Sequence, residues 1–270
     1  MHSLKVLAIG NSFSADAMEW LYNIASSYGF ENIVLGNAYI GGCTLETHCS
    51  NSINNSSSYI YYKNTTGQWI ADENKTIDYC IKDEAWDLIT LQQASGSSGR
   101  AETYEPYLTE LIDYVNKNKT NPDAQLAWHI TWAYAKDSTH EEYINYDKDQ
   151  LTMYNAIISA FKDKVLPKSE IAFYIPVGTA IQNVRTSFIG DKLNRDGFHL
   201  DLKLGRYTAG LTWFGKITGL AIDDIAYVPD TLAIPAACLK VVKECVKNAI
   251  KKPYEITQSQ YTVAPSDTVV

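Results

Sequence analysis

Short apolar, β-rich runs alternate with segments of helical periodicity through most of this 270-residue chain, and that alternation constrains the fold more than any single residue does. Lys5–Gly10 (KVLAIG), Asn32–Gly36 (NIVLG), Asp87–Gln92 (DLITLQ), Gln125–Thr131 (QLAWHIT) and Glu170–Pro176 (EIAFYIP) each read as a short buried strand. Between and after them, residues 16–28, 102–118, 149–164 and 202–218 read as helices, with apolar side chains at helical spacing such as Leu108, Leu111, Ile112 and Val115. Strands alternating with crossover helices pack as a parallel sheet covered on both faces, with ligands bound outside the carboxyl ends of the strands. The expectation is an α/β chain: a single-domain, three-layer α/β/α sandwich on a five-stranded parallel, flavodoxin-like sheet, spanning residues 1–252.

Three stretches stand apart from the alternation. Residues 47–76 are rich in Asn, Ser, Thr and Tyr and read as a long polar loop over the active edge. Residues 233–251 (AIPAACLKVVKECVKNAIK) form an amphipathic helix with Leu239, Val242, Val246 and Ile250 on one face, closing the same domain. The polar tail, 253–270, is expected to be loosely attached.

Composition narrows the function classes. A net charge of -8 argues against nucleic acid, whose phosphates demand clustered Lys and Arg, and the one basic cluster, Lys247, Lys251 and Lys252, lies at a helix end where it complements the dipole. The five cysteines, Cys43, Cys49, Cys80, Cys238 and Cys245, are odd in number and form no CxxC pair, so buried thiols are expected over a zinc knuckle or a disulfide framework. No His or acidic spacing suggests a metal, no three spaced glycines suggest a dinucleotide, and no cofactor is expected. No eighteen-residue apolar run exists, so membrane insertion is not expected. The first strand is entered by Leu4, leaving no room for a signal peptide, and the compartment stays open because a leader could have been removed ahead of Met1.

Two motifs carry chemistry. The first strand ends in Gly10-Asn11-Ser12-Phe13-Ser14 and passes directly into a helix, a geometry that exposes the Ser12 hydroxyl at the sheet edge and aims its backbone N–H where an oxyanion can sit. The same turn could bind phosphate at a helix N-terminus, or Ser12 or Ser14 could simply cap the helix. Far along the chain, Asn194-Arg195-Asp196-Gly197-Phe198-His199 places a carboxylate three residues before a histidine, so that Asp196 can hold one ring nitrogen of His199 while the other faces a nucleophile. By itself that pattern reads first as a capping Asp and a surface His. His129, at the end of the fourth strand, reads as a half-buried strand histidine rather than a rival base.

Together, in this order and with this alternation of elements, the motifs resemble the SGNH, or GDSL-like, hydrolase superfamily over about residues 4–215. Gly10-Asn11-Ser12 stands where that family's first block carries Gly-Asp-Ser, and Asp196-Gly197-Phe198-His199 looks like its last block. The resemblance implies a Ser12, Asp196, His199 triad. It further implies an oxyanion hole that includes the N–H groups of Ser12 and of a glycine in Ile40-Gly41-Gly42-Cys43, with Gly42 preferred to Gly41. The third block departs from the family: in place of Gly-X-Asn-Asp stands Leu91-Gln92-Gln93-Ala94-Ser95-Gly96. Carbohydrate-ester branches resembling the sialate O-acetylesterases carry a glutamine here, so Gln92 or Gln93 is expected to donate to the oxyanion. Asn11, Trp132 and Tyr134 are candidate substrate contacts, with core packing the alternative for the last two. The partner implied is a small-molecule or carbohydrate ester, deacylated through an acyl-enzyme on Ser12. A lipase or thioesterase of the same superfamily, a non-catalytic carbohydrate-binding protein on this scaffold and a phosphate-binding flavodoxin-like protein are the alternatives.

Overall fold

A computed structural model describes residues 2–229 and 233–266, so the ends of the expected tail and a short piece before the last helix lie outside the described residues. The strands are β1 (His2–Gly10), β2 (Phe30–Tyr39), β3 (Tyr59–Asn64), β4 (Trp69–Lys75), β5 (Leu88–Leu91), β6 (Gln125–His129) and β7 (Ile171–Ile175). The α-helices among the described residues are α1 (Ser12–Met18), α2 (Leu21–Ser27), α3 (Leu45–Asn54), α4 (Ile77–Lys82), α5 (Tyr107–Asn118), α6 (Gln150–Ala160), α7 (Val177–Arg185), α8 (Leu204–Thr218) and α9 (Ala236–Lys251).

All strands join one sheet in the order β4-β3-β2-β1-β5-β6-β7. The stretch from β2 to β7 is the expected parallel set: β1 pairs in parallel with β2 and β5, and β6 pairs in parallel with β5 and β7. The sheet as a whole is nevertheless mixed and seven-stranded, because β3 and β4 form an antiparallel hairpin that extends it beyond β2. The expected 47–76 loop is therefore α3 followed by that hairpin. Tyr59, Tyr61 and Asn64 are buried in β3 while Ile60, Tyr62 and Lys63 are only partly so, an alternation written in tyrosines rather than in aliphatic residues. Thr44 caps α3 by accepting from the Thr47 N–H at 3.1 Å.

Helices α1, α2, α7, α8 and α9 pack together as one group, and α3, α4 and α5 as another. The expected helix over 16–28 is two: α1 starts earlier, at Ser12, and the chain leaves helical geometry around Trp20 before α2 begins. All five cysteines are free and buried. The tail is tied down rather than loose over its described part. The Thr257 N–H donates to Asn183 at 2.7 Å, the Ser259 hydroxyl to Glu244 at 2.5 Å and the Phe188 N–H to the Tyr261 carbonyl at 2.9 Å.

Candidate active site

The β1–α1 turn is built around Asn11, which is extended (φ -146°, ψ -154°) and caps α1 by accepting from the Phe13 N–H at 2.9 Å. Its Nδ2 donates to the Cys43 carbonyl at 3.1 Å, tying this turn to the one that follows β2. Ser12 is thus the first helical residue, half-buried, with its N–H at the open end of α1. In the tied turn Gly42 adopts φ +64°, a conformation that disfavours any residue with a Cβ.

The second motif sits on a short two-ended ladder. Asn194 and Leu200 bridge, the Arg195 N–H donates to the His199 carbonyl at 3.0 Å, and the Gly197 carbonyl accepts from the Ala135 N–H at 2.8 Å. Gly197 has φ +88°, and a Cβ there would lie 2.9 Å from Ser138 Cα, so both conformation and space require glycine. Asp196 Oδ2 lies 2.7 Å from His199 Nδ1, and Asp196 Oδ1 accepts from the His199 and Phe198 N–H groups at 2.8 and 3.2 Å. Partial burial pushes the Asp196 pKa up, but these three hydrogen bonds outweigh it and hold the carboxyl below the ordinary Asp value. A carboxylate here fixes the tautomer with the proton on Nδ1 and leaves Nε2 as the basic atom.

Ser12 and His199 line one cavity of about 210 Å³, together with Asn11, Tyr39, Gly41, Gly42, Ser95, His140, Glu142 and Phe198. Among the described residues no hydrogen bond joins Ser12 Oγ to His199 Nε2, and neither atom has another partner. Such bonds are often long in ligand-free sites and tighten when substrate arrives.

One residue outside the motifs holds the two halves in register. Asp16, one turn beyond Ser12 on α1, is 1% exposed. It takes Arg195 Nη1 at 3.1 Å, Arg206 Nη2 at 2.7 Å and the Leu200 N–H at 2.8 Å. Helix α1 is thereby bonded to both sides of the His199 turn. Nothing in the sequence marks Asp16, since its partners lie in distant parts of the chain.

The glutamines of the third block depart from expectation. Gln92 Nε2 donates to Asn11 Oδ1 at 2.8 Å, and its Oε1 lies 2.9 Å from His129 Nδ1. Gln93 Nε2 donates to the Thr103 carbonyl at 3.1 Å, and its Oε1 accepts from the Leu45 and Ala94 N–H groups at 3.0 and 2.8 Å. Both are almost wholly buried and neither lines the Ser12 cavity, so each amide braces the turns around the site instead of facing substrate. Ser95 is the residue of that block that reaches the cavity, and Gly96 beside it admits no Cβ because the Glu142 carboxylate would lie 2.1 Å away.

Trp132 and Tyr134 are likewise supports rather than walls, each 0% exposed. The Trp132 ring stacks on Phe13 at 4.0 Å and its Nε1 donates to the Phe198 carbonyl at 2.7 Å; the Tyr134 hydroxyl meets Ser95 Oγ at 2.8 Å. Asn11 lines the cavity but spends its amide on the two turns. His129 is fully buried, and burial lowers its pKa to about 3, which keeps it neutral. His140 and Glu142, left unassigned by the sequence, line the cavity from a 3₁₀ segment and its cap (Glu141–Tyr146), with the His140 ring 4.7 Å from Phe198.

Among the described residues, no group of three or more His, Cys, Asp or Glu side chains is placed to hold a metal ion, and no helix is long and apolar enough to cross a membrane.

Comparison with known proteins follows the same lines. Residues 5–249 match a family model described as "Domain of unknown function (DUF4886)". The crystal structure of a DUF4886 family protein from Bacteroides uniformis is 42% identical, covers 95% of this chain and 98% of its own, and superposes with a TM-score of 0.91. A protein from Slackia heliotrinireducens, classed provisionally as an SGNH hydrolase, is 17% identical over 80% of this chain and 100% of its own, with a TM-score of 0.50. A carbohydrate esterase family 3 protein from Talaromyces cellulolyticus is 13% identical over 83% of this chain and 100% of its own, with a TM-score of 0.51. The two distant likenesses show an SGNH-like fold. No curated protein matches in sequence.

Proposed function

The chain belongs to the DUF4886 family, and from that premise we propose that it is a serine ester hydrolase with Ser12 as nucleophile, His199 as base and Asp196 as the group that orients it. One observation carries the reading: Ser12 and His199, far apart in the chain, line the same cavity at the carboxyl end of the parallel strands, and Asp196 holds His199 from behind. A phosphate-binding turn or a pair of caps gives no reason for that meeting.

In the proposed reaction His199 Nε2 takes the Ser12 proton as Oγ bonds to the ester carbonyl carbon. The tetrahedral adduct collapses, the alkoxide leaves with the proton from His199, and an acyl-Ser12 remains. Water, deprotonated by His199, then releases the acid and restores Ser12. The oxyanion is held by the N–H groups of Ser12 and Gly42 and by the Ser95 hydroxyl, which shares a 2.8 Å hydrogen bond with the Tyr134 hydroxyl and can give its proton to the oxyanion when Tyr134 is the donor of that bond. Gln92 and Gln93 serve as braces. The substrate class is a small acyl ester, acetyl in the first place, on a carbohydrate; support comes from the small cavity and from Tyr62 and Trp69, which the β3–β4 hairpin brings beside Ser12.

A serine-directed fluorophosphonate probe should label the wild type and not Ser12→Ala. Absence of labelling in the wild type turns the reading toward a carbohydrate-binding protein. Acetate release from sugar acetates supports the substrate class; cleavage confined to long-chain esters or thioesters replaces it with a lipase or thioesterase. Ser95→Ala should lower kcat on the order of a hundredfold if its hydroxyl meets the oxyanion.

A further inference from the structure

A second cavity, of about 250 Å³, shares Ser12 and Tyr39 with the first and continues from it toward the β3–β4 hairpin. Aromatic walls come from Tyr39, Tyr62 and Trp69, and polar groups from Asp16, Glu19, Asn37, Arg195 and Arg206. None of these has a task in acyl transfer itself, and the space opens beside Ser12, where one side of an ester held there can enter it.

The hydrogen-bonding capacity left over in the cavity is biased toward donors. Asp16, its most buried carboxylate, is occupied by Arg195 Nη1, by Arg206 Nε and Nη2 and by the Leu200 N–H. Arg195, whose side chain is 33% exposed, uses only Nη1 in this way, so Nε and Nη2 have no partner among the described residues. Trp69 Nε1 is buried without a partner among the described residues. Asn37 is 1% exposed and lines the cavity: one atom of its amide meets the Ser14 hydroxyl at 3.0 Å, and the other is unpartnered among the described residues. Glu19 is the remaining acid. It pairs with Arg206 Nη1 at 3.3 Å and makes no ion pair with Arg195 among the described residues, which leaves the Arg195 fork as the open cationic donor. Unused donors, an arginine fork and flat aromatic walls together suit a ring that carries an anion.

We propose that this cavity binds a sugar ring bearing a carboxylate, a uronic acid unit, with the carboxylate on Arg195 and the ring against Tyr62 and Trp69. This rests on the ester-hydrolase reading only in making that sugar the alcohol side of the ester; the binding itself is independent of turnover.

The test is calorimetric titration of the full-length Ser12→Ala protein with glucuronic acid and with glucose. Glucuronic acid should bind about tenfold or more tightly than glucose, the effect of one charge-assisted contact. Arg195→Lys, which keeps the charge opposite Asp16 but loses the fork, should cut the preference, and Trp69→Ala should weaken both sugars alike. Equal affinity for the two sugars, no binding of either, or a preference untouched by Arg195→Lys overturns the proposal. The comparison of sugars leaves Arg195, Tyr62 and Trp69 in place, so it stands even if Arg195→Lys fails to fold. A wild type that binds glucuronic acid but resists the fluorophosphonate sinks the hydrolase reading and leaves the site. A labelled wild type that shows no uronate preference does the reverse.

Discussion

Asp16 and Asp196 are both bonded carboxylates beside the same turn, but their burial sets opposite consequences for mutation. Asp16 is 1% exposed between two partly exposed arginines, so Asp16→Ala leaves Arg195, Arg206 and the Leu200 N–H without this acceptor and should cost about 1–3 kcal/mol in a urea titration. Activity should fall with it, because the bonds from Asp16 to Arg195 and Leu200 set the His199 turn against α1. The Asp196 side chain is 40% exposed, so Asp196→Asn should leave the unfolding midpoint nearly unchanged while lowering kcat on the order of 10³–10⁴-fold through the wrong His199 tautomer. Of these two, Asp196 was legible in the sequence, since its partner stands three residues away. Asp16 was not: every group it binds comes from beyond residue 194. The same holds for Gln92, an obvious donor by chemistry whose amide is taken by Asn11, a contact that exists only once β1 and β5 pair.

The strands and helices that repeat an aliphatic pattern were read correctly from it, as in β1, β5, β6 and α5. The hairpin β3–β4 was missed because polarity and tyrosine content mimic a loop, although the period-two burial was present in Tyr59 and Tyr61. Helix α7 was missed although Val177, Ala180, Ile181 and Val184 stand at helical spacing, because it is only nine residues long and follows the β7 strand after a single proline. Its entry is also the tightest packing point among the glycines with backbone neighbours: a Cβ on Gly178 would lie 2.1 Å from the Thr131 carbonyl oxygen. Gly178→Ala must push α7 away from the end of β6, and the expected outcome is a protein recovered mainly in inclusion bodies or with a thermal midpoint lowered by several degrees. An unchanged midpoint would mean that α7 and the sheet edge can separate freely.

Two buried histidines make the whole molecule sensitive to acid. Burial lowers the pKa of His48 and of His129 to about 3, against an ordinary value of 6.5. Both are therefore neutral when folded and take up protons when unfolded below about pH 6.5, so stability falls as pH drops from there toward 3. The slope is about 1.4 kcal/mol per pH unit for each histidine. Denaturant titrations at pH 7, 6 and 5 check this, and His129→Gln should flatten the dependence by about half. The described tail adds to cohesion as well. Deleting 253–270 removes its bonds to Asn183, Thr186 and Glu244, and should lower stability by about 0.5–1.5 kcal/mol per bond lost.

The α/β class, the parallel core of the sheet, the Ser12 turn and the Asp196–His199 pair were all readable from residue order, because each depends on periodicity or on neighbours within a few positions. The bracing contacts of Gln92 and Gln93, the buried place of Trp132 and Tyr134, the Asp16 tie and the second cavity were not. They depend on which distant segments meet at the edge of the sheet, and a side chain's role there follows from the groups left unpaired after packing, a quantity that no local pattern carries.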